Sequence, residues 1–299
     1  MFNRGISEDV VKALRGWSHW EEIIKDPDLF VAIRDKYINI YSQGCSIFKI
    51  SHKNGQLVPE THYKYLVSPS AKNPYVLWKG DHPALEDRVN EILIQTLDLD
   101  LLKRSSRRYA EAEKVGLQQI LKSNKNVVDV EIALSPESEV EADSEDRAIE
   151  GKQAADRIDF AAIQEKDGKP RIVFFEAKRF ANRELRSRKP EPPVVGQIRK
   201  YESFIQKHRS KMEASYRRVC ENLIELGLPG RYDTRVEEVA ASPERLTVDP
   251  QVRLVVFDFD KDQRTGNVWK GHREKLFHYL NDRLLLKGTA SEFTSGISA

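Results

Sequence analysis

One run constrains the fold of this chain more than any other. Residues 171–180 carry Ile172, Val173, Phe174, Phe175 and Phe180 with no regular polar alternation. A strand that is apolar on both faces belongs at the centre of a sheet covered on both sides. Glu176 and Lys178 nevertheless lie inside it, and they point the same way because alternate strand residues share a face. A carboxylate and an ammonium there are costly unless they have partners or a purpose. The preceding run, residues 157–163, is joined to it through Lys166-Asp167-Gly168-Lys169, a tight turn that favours an antiparallel hairpin. That pairing brings Asp159 beside Glu176. Two adjacent carboxylates repel unless a cation sits between them, and oxygen-only ligands suit Mg²⁺ or Mn²⁺. A neighbouring lysine can then position or deprotonate a water and offset charge on a phosphoryl oxygen. The plainer alternative is a Glu176–Lys178 ion pair at a strand end, with Asp159 capping the hairpin. The three residues taken together, with their apolar flanks, favour the chemical reading.

The remaining pattern is that of an α/β chain. Val10, Val11, Leu14 and Trp17 predict a helix over residues 7–25. Residues 29–33, 37–41, 46–50 and 63–67 are rich in β-branched and aromatic side chains and read as an antiparallel meander. Gln43-Gly44 and Asn54-Gly55 mark its turns. Breakers at Pro69, Pro74 and Pro83 place a module boundary near residues 80–85. Helices are expected over 83–102, 105–123, 194–226 and 269–286, and further strands over 127–134 and 252–259. The element order predicts a mixed central sheet flanked by helices in residues 86–287, preceded by a small antiparallel β-rich module in residues 1–85. Residues 288–299 are small and polar and are expected to be a disordered tail.

Charge is segregated along the chain although the net charge is only +2. Residues 136–150 hold seven acidic residues and one basic residue, whereas residues 178–218 hold thirteen Lys/Arg and four Asp/Glu. A basic segment of this kind can serve as a footprint for phosphates. A solvated helix face beside an acidic loop would give the same counts. No apolar run approaches the ~18–20 residues that a membrane-spanning helix needs. Met1-Phe2-Asn3-Arg4, with Glu8 and Asp9 close behind, lacks a signal-peptide pattern, so a cytoplasmic protein without a membrane partner is expected. Cys45 and Cys220 fit no metal-ligand spacing and are expected to be reduced.

Asp159, then Glu176-Ala177-Lys178 on the next strand, resembles the PD-(D/E)XK nuclease superfamily. The resemblance spans residues 105–220 and implies a restriction-endonuclease-like core in which Asp159 and Glu176 hold the catalytic metal. In that family a preceding helix carries a glutamate that completes the metal site. Tyr109, Gly116, Leu117 and Ile120 define the apolar side of the 105–123 helix, where Glu113 falls while Glu111 points elsewhere. The resemblance thus assigns Glu113, and it adds the Ala177 carbonyl as a further ligand. Gln197-Ile198-Arg199-Lys200-Tyr201 is similar to the Gln-x-x-x-Tyr motif of the RecB-like branch. Residues four apart share a helix face, so Gln197 is expected to orient a site carboxylate or Lys178, and the Tyr201 hydroxyl to contact a phosphate. The proline that names the motif is replaced by Ile158. The cysteine cluster that holds an iron–sulfur centre in some RecB-like members is absent.

What the resemblance implies is a Mg²⁺-dependent nuclease acting on DNA, expected to be an endonuclease, with Mn²⁺ able to substitute. Arg179, Arg183, Arg186, Arg188, Lys189, Arg199 and Lys200 are the candidate nucleic-acid contacts, directed at backbone phosphates. Cutting both strands usually requires two active sites, which a homodimer would supply. The competing reading is a module that keeps the fold and binds nucleic acid without cutting it. A third has residues 1–85 dock a protein partner. Asp258 and Asp260 suggest either a second acidic site or a strand end meeting solvent. Tyr37, Tyr41, Tyr63 and Tyr65 suggest either a stacking surface or, preferably, the half-buried face of a sheet.

Overall fold

The N-terminal region forms two short helices, α1 (Glu8–Arg15) and α2 (Trp20–Lys25), where the periodicity predicts one. The break falls at Gly16, whose N–H closes the first helix on the Lys12 carbonyl. Four antiparallel strands follow in the order β1-β2-β3-β4: β1 (Phe30–Ile33), β2 (Tyr37–Ser42), β3 (Cys45–Lys53) and β4 (Gln56–Glu60). Gln43-Gly44 and Asn54-Gly55 make the hairpins, with φ of 51° and 77° in one and 52° and 78° in the other. Positive φ at both central positions is what a type I′ turn requires. The fourth strand is not where composition placed it. Asn54-Gly55 reverses the chain at once, so His52 pairs with Leu57 and Lys49 with Glu60, and Tyr63–Leu66 becomes a 3₁₀ turn.

This structure is a computed structural model that describes residues 2–70, 78–79, 82–84, 89–134, 157–228 and 232–293. The acidic segment 136–150 lies outside the described residues, as do residues 80, 81 and 85 of the expected boundary. A two-residue ladder joins β5 (Trp78–Lys79) to β6 (His82–Pro83). The helix expected over 83–102 is instead α3 (Val89–Ile92) and α4 (Leu99–Ser106). Asp98 starts α4 by accepting the Leu101 N–H at 2.9 Å, so one helix cannot run through. A 3₁₀ turn, Arg107–Tyr109, separates α4 from α5 (Ala112–Ser123).

The second sheet has five strands in the order β11-β10-β9-β8-β7. These are β7 (Val127–Ala133), β8 (Arg157–Lys166), β9 (Lys169–Arg179), β10 (Thr247–Phe257) and β11 (Leu284–Leu286). β7, β8 and β9 are antiparallel neighbours, while β9, β10 and β11 run parallel. The sheet is therefore mixed, and the apolar run is its middle strand. Ile172, Val173, Phe174 and Phe175 are fully buried, each worth roughly 1.5–3 kcal/mol. On one face α6 (Pro193–Glu225) packs Ile198, Tyr201, Ile205 and Tyr216 over Ile172, Phe174 and Leu254. On the other, Leu117 and Ile120 of α5 cover Phe160, Val173 and Phe175. Close approach of α5 depends on Gly116, where an added Cβ would meet the Phe257 ring at 2.2 Å. Gly116→Ala is expected to cost about 1–3 kcal/mol through overpacking. Urea denaturation that shows an unchanged midpoint would contradict this packing.

After α6 come α7 (Thr234–Ala241), α8 (Lys261–Thr265) and α9 (Asn267–Leu280). The helix expected over 269–286 stops at Asn281, which takes a φ of 50°, and the three leucines beyond it form edge strand β11. The disordered-tail expectation fails for its first residues. Ala290–Phe293 make a 3₁₀ turn, and the buried Phe293 ring sits 6.2 Å from Phe160 and 5.9 Å from Phe175. Residues 294–299 lie outside the described residues. The N-terminal region shares its apolar cluster with the larger sheet, Phe2, Val10 and Leu14 belonging with Met212, Tyr216 and Val219. No helix among the described residues is long and apolar enough to cross a membrane.

Candidate active site

The carboxylates gather where the two middle antiparallel strands part. Paired register between β8 and β9 ends at Phe160 and Phe175. One residue further, Asp159 turns its carboxylate onto the backbone, and Oδ2 accepts the Ala177 N–H at 2.8 Å. On the same β8 end, the Arg157 carbonyl accepts the Tyr201 hydroxyl at 2.7 Å. Two main-chain groups at the point of divergence are thus satisfied by side chains, which leaves the divergence stable. Glu176 and Lys178 share a face as the strand period requires, with Lys178 Nζ 2.9 Å from Glu176 Oε1. Glu176 is 1 % exposed, and its Oε2 is buried without a hydrogen-bond partner. An orphaned carboxylate oxygen in such a place asks for a cation or a proton.

Glu113 arrives from the first turn of α5. Its Oε2 accepts the Arg179 N–H at 3.1 Å and the Asn182 side-chain amide at 2.9 Å, and its Oε1 lies 3.8 Å from Lys178 Nζ. Glu111 is exposed at the N-cap of that helix. The structure therefore brings Glu113, Asp159, Glu176 and Lys178 together. It also adds residues that sequence reasoning missed. Lys114 pairs with Glu131 and lies 3.3 Å from Asp159 Oδ1. Glu131 stands opposite Asp159, since its neighbours Val130 and Ile132 pair with Phe160 and Ile158. Glu184, in the 3₁₀ turn Arg183–Leu185, brings Oε2 to 2.9 Å from Lys178 Nζ. Asn182 holds that turn by accepting the Glu184 N–H at 2.9 Å.

Burial and then the Asp159 charge push the Glu176 carboxyl well above its usual range, against the pull of Lys178. Burial and the nearby Glu131 likewise raise Asp159, with Lys114 opposing. For Lys178, burial opposes the charged form, but Glu176 and Asp159 overcome it and hold the ammonium protonated above its ordinary range. Lys114 follows the same balance with Glu131 and Asp159. Charge-neutralising lysines thus stand against a crowd of carboxylates. Among the described residues, no three His, Cys, Asp or Glu side chains converge as a ligand set around one point.

Gln197 and Tyr201 lie one turn apart, with the Gln197 amide donating to the Tyr201 hydroxyl at 2.6 Å. Tyr201 is fully buried and its hydroxyl serves the Arg157 carbonyl, so it braces the Asp159 strand from within and is not placed as a phosphate contact. The basic residues divide into two groups. Arg186 is built into the fold, donating to the Phe180 and Asn182 carbonyls and lying over the Phe180 and Trp269 rings. Arg179 pairs with Asp258, and Arg199 pairs with Glu191. Arg183, Arg188, Lys189 and Lys200 are exposed. Asp260 caps α8 in a capping box with Gln263, so it and Asp258 belong to a strand end and not to a second acidic site. Comparison with protein-family models, with curated proteins and with solved structures finds no match to this chain.

Proposed function

We propose that this chain is a metal-dependent nuclease that hydrolyses phosphodiester bonds, with DNA as its substrate and a restriction-endonuclease-like core around the site. The observation that carries the reading is the meeting of Glu113, Asp159, Glu176 and Lys178 at the open end of the central strand. An ion pair alone needs one carboxylate for each lysine, whereas Lys178 faces three, from Glu113, Glu176 and Glu184.

The donors suit a hard cation. They are carboxylate oxygens, that of Glu176 Oε2 buried and unpartnered, and burial disfavours the charged forms of Glu176 and Asp159. Asp159, Glu176 and Glu113 do not converge on one point among the described residues, so these three carboxylates would draw in around Mg²⁺ to hold it, with the Ala177 carbonyl as a further oxygen. When bound, the ion supplies Lewis-acid stabilisation of phosphoryl charge and a more acidic water. The protein's own side chains do the rest. Lys178, kept protonated, is suited to hold a water or offset charge on a phosphoryl oxygen, and less suited to act as a base. Asn182 fixes Glu113, and the Gln197–Tyr201 pair fixes the strand that carries Asp159. Arg183, Arg188, Lys189 and Lys200 would meet backbone phosphates.

The test is incubation of wild type and Lys178→Ala with closed circular and linear DNA, in Mg²⁺, Mn²⁺ or EDTA. Cleavage is expected only with metal, on the closed circle as well, and is expected to fall by at least about 100-fold in the variant, the scale of losing one group that stabilises transition-state charge. Retention of DNA in EDTA with no cleavage under any condition would replace this reading with the binding module.

A further inference from the structure

A row of aromatic rings that the chemistry does not use runs from the N-terminal sheet to the start of α5. His62 and Tyr63 stack with centroids 4.6 Å apart, His62 lies 6.0 Å from Tyr65, and Tyr65 meets Tyr109 edge-on at 5.7 Å. Tyr65 is 1 % exposed and anchors the row, whereas Tyr63 is 68 % exposed and Tyr109 45 % exposed. The 3₁₀ turns Tyr63–Leu66 and Arg107–Tyr109 present the two ends. Of the four meander tyrosines, Tyr41 and Tyr65 are core, Tyr37 is half-buried, and only Tyr63 stands out from the sheet.

Positive charge is threaded through the row. Lys64 Nζ lies 5.0 Å from the Tyr65 ring centroid and 5.0 Å from that of Tyr109. Arg108, exposed beside Tyr109, is steadied by donating to the Pro69 carbonyl at 2.9 Å. Glu60 and Glu111 are the exposed acids nearest in sequence. Exposed rings with cations between them suit a ligand that carries flat π-faces on an anionic backbone. A nucleic-acid strand with unpaired bases has that chemistry, because any base can stack on an aromatic side chain while its phosphates meet lysine or arginine. A duplex hides its base faces.

Position joins the row to the cleft. Tyr109 precedes Glu113 by four residues, which bounds the distance between their Cα atoms at about 14 Å. At roughly 3.4 Å per stacked nucleotide, that is a span of at most some four nucleotides. The geometry points to Tyr63 and Tyr109, with the Lys64 ammonium against the Tyr109 ring, as a stacking platform for the bases of an unpaired DNA strand whose backbone leads to the carboxylate cleft. This rests on the nuclease reading for its class of ligand.

The test is binding by the full chain in EDTA, using a labelled oligothymidylate and a blunt duplex of the same length. Wild type is expected to hold the single strand. Tyr63→Ala and Tyr109→Ala should each weaken that binding about fivefold or more, the lower bound for loss of one stacked base. Tyr63→Phe and Tyr109→Phe should retain it, and duplex binding should not change. Tyr63 is 68 % exposed and its ring stacks on His62, so its variants are expected to test the platform at little folding cost. Single-strand affinity unchanged in both alanine variants would overturn the platform and leave a cleaving enzyme's assignment untouched. Wild type that neither retains nor cleaves DNA of any form would overturn the platform and the nuclease reading together.

Discussion

Asp129→Ala is expected to lower stability by about 3–5 kcal/mol, the cost of leaving buried charges without their partner. Asp129 is 1 % exposed and accepts from Arg34 through Oδ1 and from Arg4 through Oδ2, at 3.4 Å in the second case. The Tyr216 hydroxyl donates to Oδ2 at 3.2 Å. Arg34 reaches further, to the Val130 carbonyl at 2.6 Å and the Tyr41 hydroxyl at 3.2 Å. This one carboxylate thus ties the chain start, the end of β1, an inner position of β7 and the long helix α6 together. Its removal strands two guanidinium groups among apolar neighbours, which is far more costly than losing a surface pair. Typical domains have only about 5–15 kcal/mol in total, so the variant should unfold early in urea. A shift below about 1 kcal/mol would mean that the cluster is solvated and does not join the two sheets.

Glu176→Gln is expected to abolish cleavage while stabilising the metal-free protein. A direct ligand should cost more than the 10–100-fold, roughly, seen on losing an outer partner. The sign of the stability effect follows from the shifted carboxyl. Glu176 binds its proton more tightly in the folded chain, because burial and Asp159 disfavour its charge. The folded state then carries more protons than the unfolded one, so stability is greatest at low pH and declines as pH rises above the ordinary glutamate value of about 4.3. Asp159 contributes in the same direction. Wild type without metal should therefore melt progressively lower from mildly acidic to neutral pH, and Glu176→Gln should flatten that fall. Mg²⁺ should raise the melting temperature of wild type at neutral pH by mass action and leave the variant unmoved. Equal Mg²⁺ responses in the two proteins would remove Glu176 from the ligand set.

The local devices were legible in the sequence because their causes are local. Asn54-Gly55, Gln43-Gly44 and Asp167-Gly168 all take positive φ and reverse the chain where their residue types demand it. The two-sided apolar run is the middle strand, and Glu176, Lys178 and Asp159 meet as strand period and hairpin pairing require. Glu113 was legible only through the family resemblance, with the helix face choosing it over Glu111. Lys114, Glu131 and Asn182 were not, because each gains meaning only from a contact with a distant residue, and Glu184 was not, because only the 3₁₀ turn Arg183–Leu185 brings it back onto Lys178. A lysine beside Glu113 on a helix looks like a solvated face until Asp159 is placed next to it. The residue run 284–286 failed for another reason. Three leucines fit a helix or a strand equally, and the deciding signal was Asn281, a residue type that tolerates positive φ. The breakers at Pro69, Pro74 and Pro83 suggested a module boundary near residues 80–85, and the contacts of Arg4 and Arg34 with Asp129 join residues too far apart in sequence for any local signal to show.

The rate at which wild type and Asp159→Ala cut closed circular DNA at the same Mg²⁺ concentration tests the proposed metal-dependent site most directly. Asp159 joins Ala177 of the middle strand to Lys114 of α5. Wild type should convert the circle to nicked or linear product, with EDTA stopping it, and the variant should leave the circle intact while still folding. An Asp159→Ala protein that cuts at the wild-type rate would contradict the assignment of this cleft as a metal-dependent nuclease site.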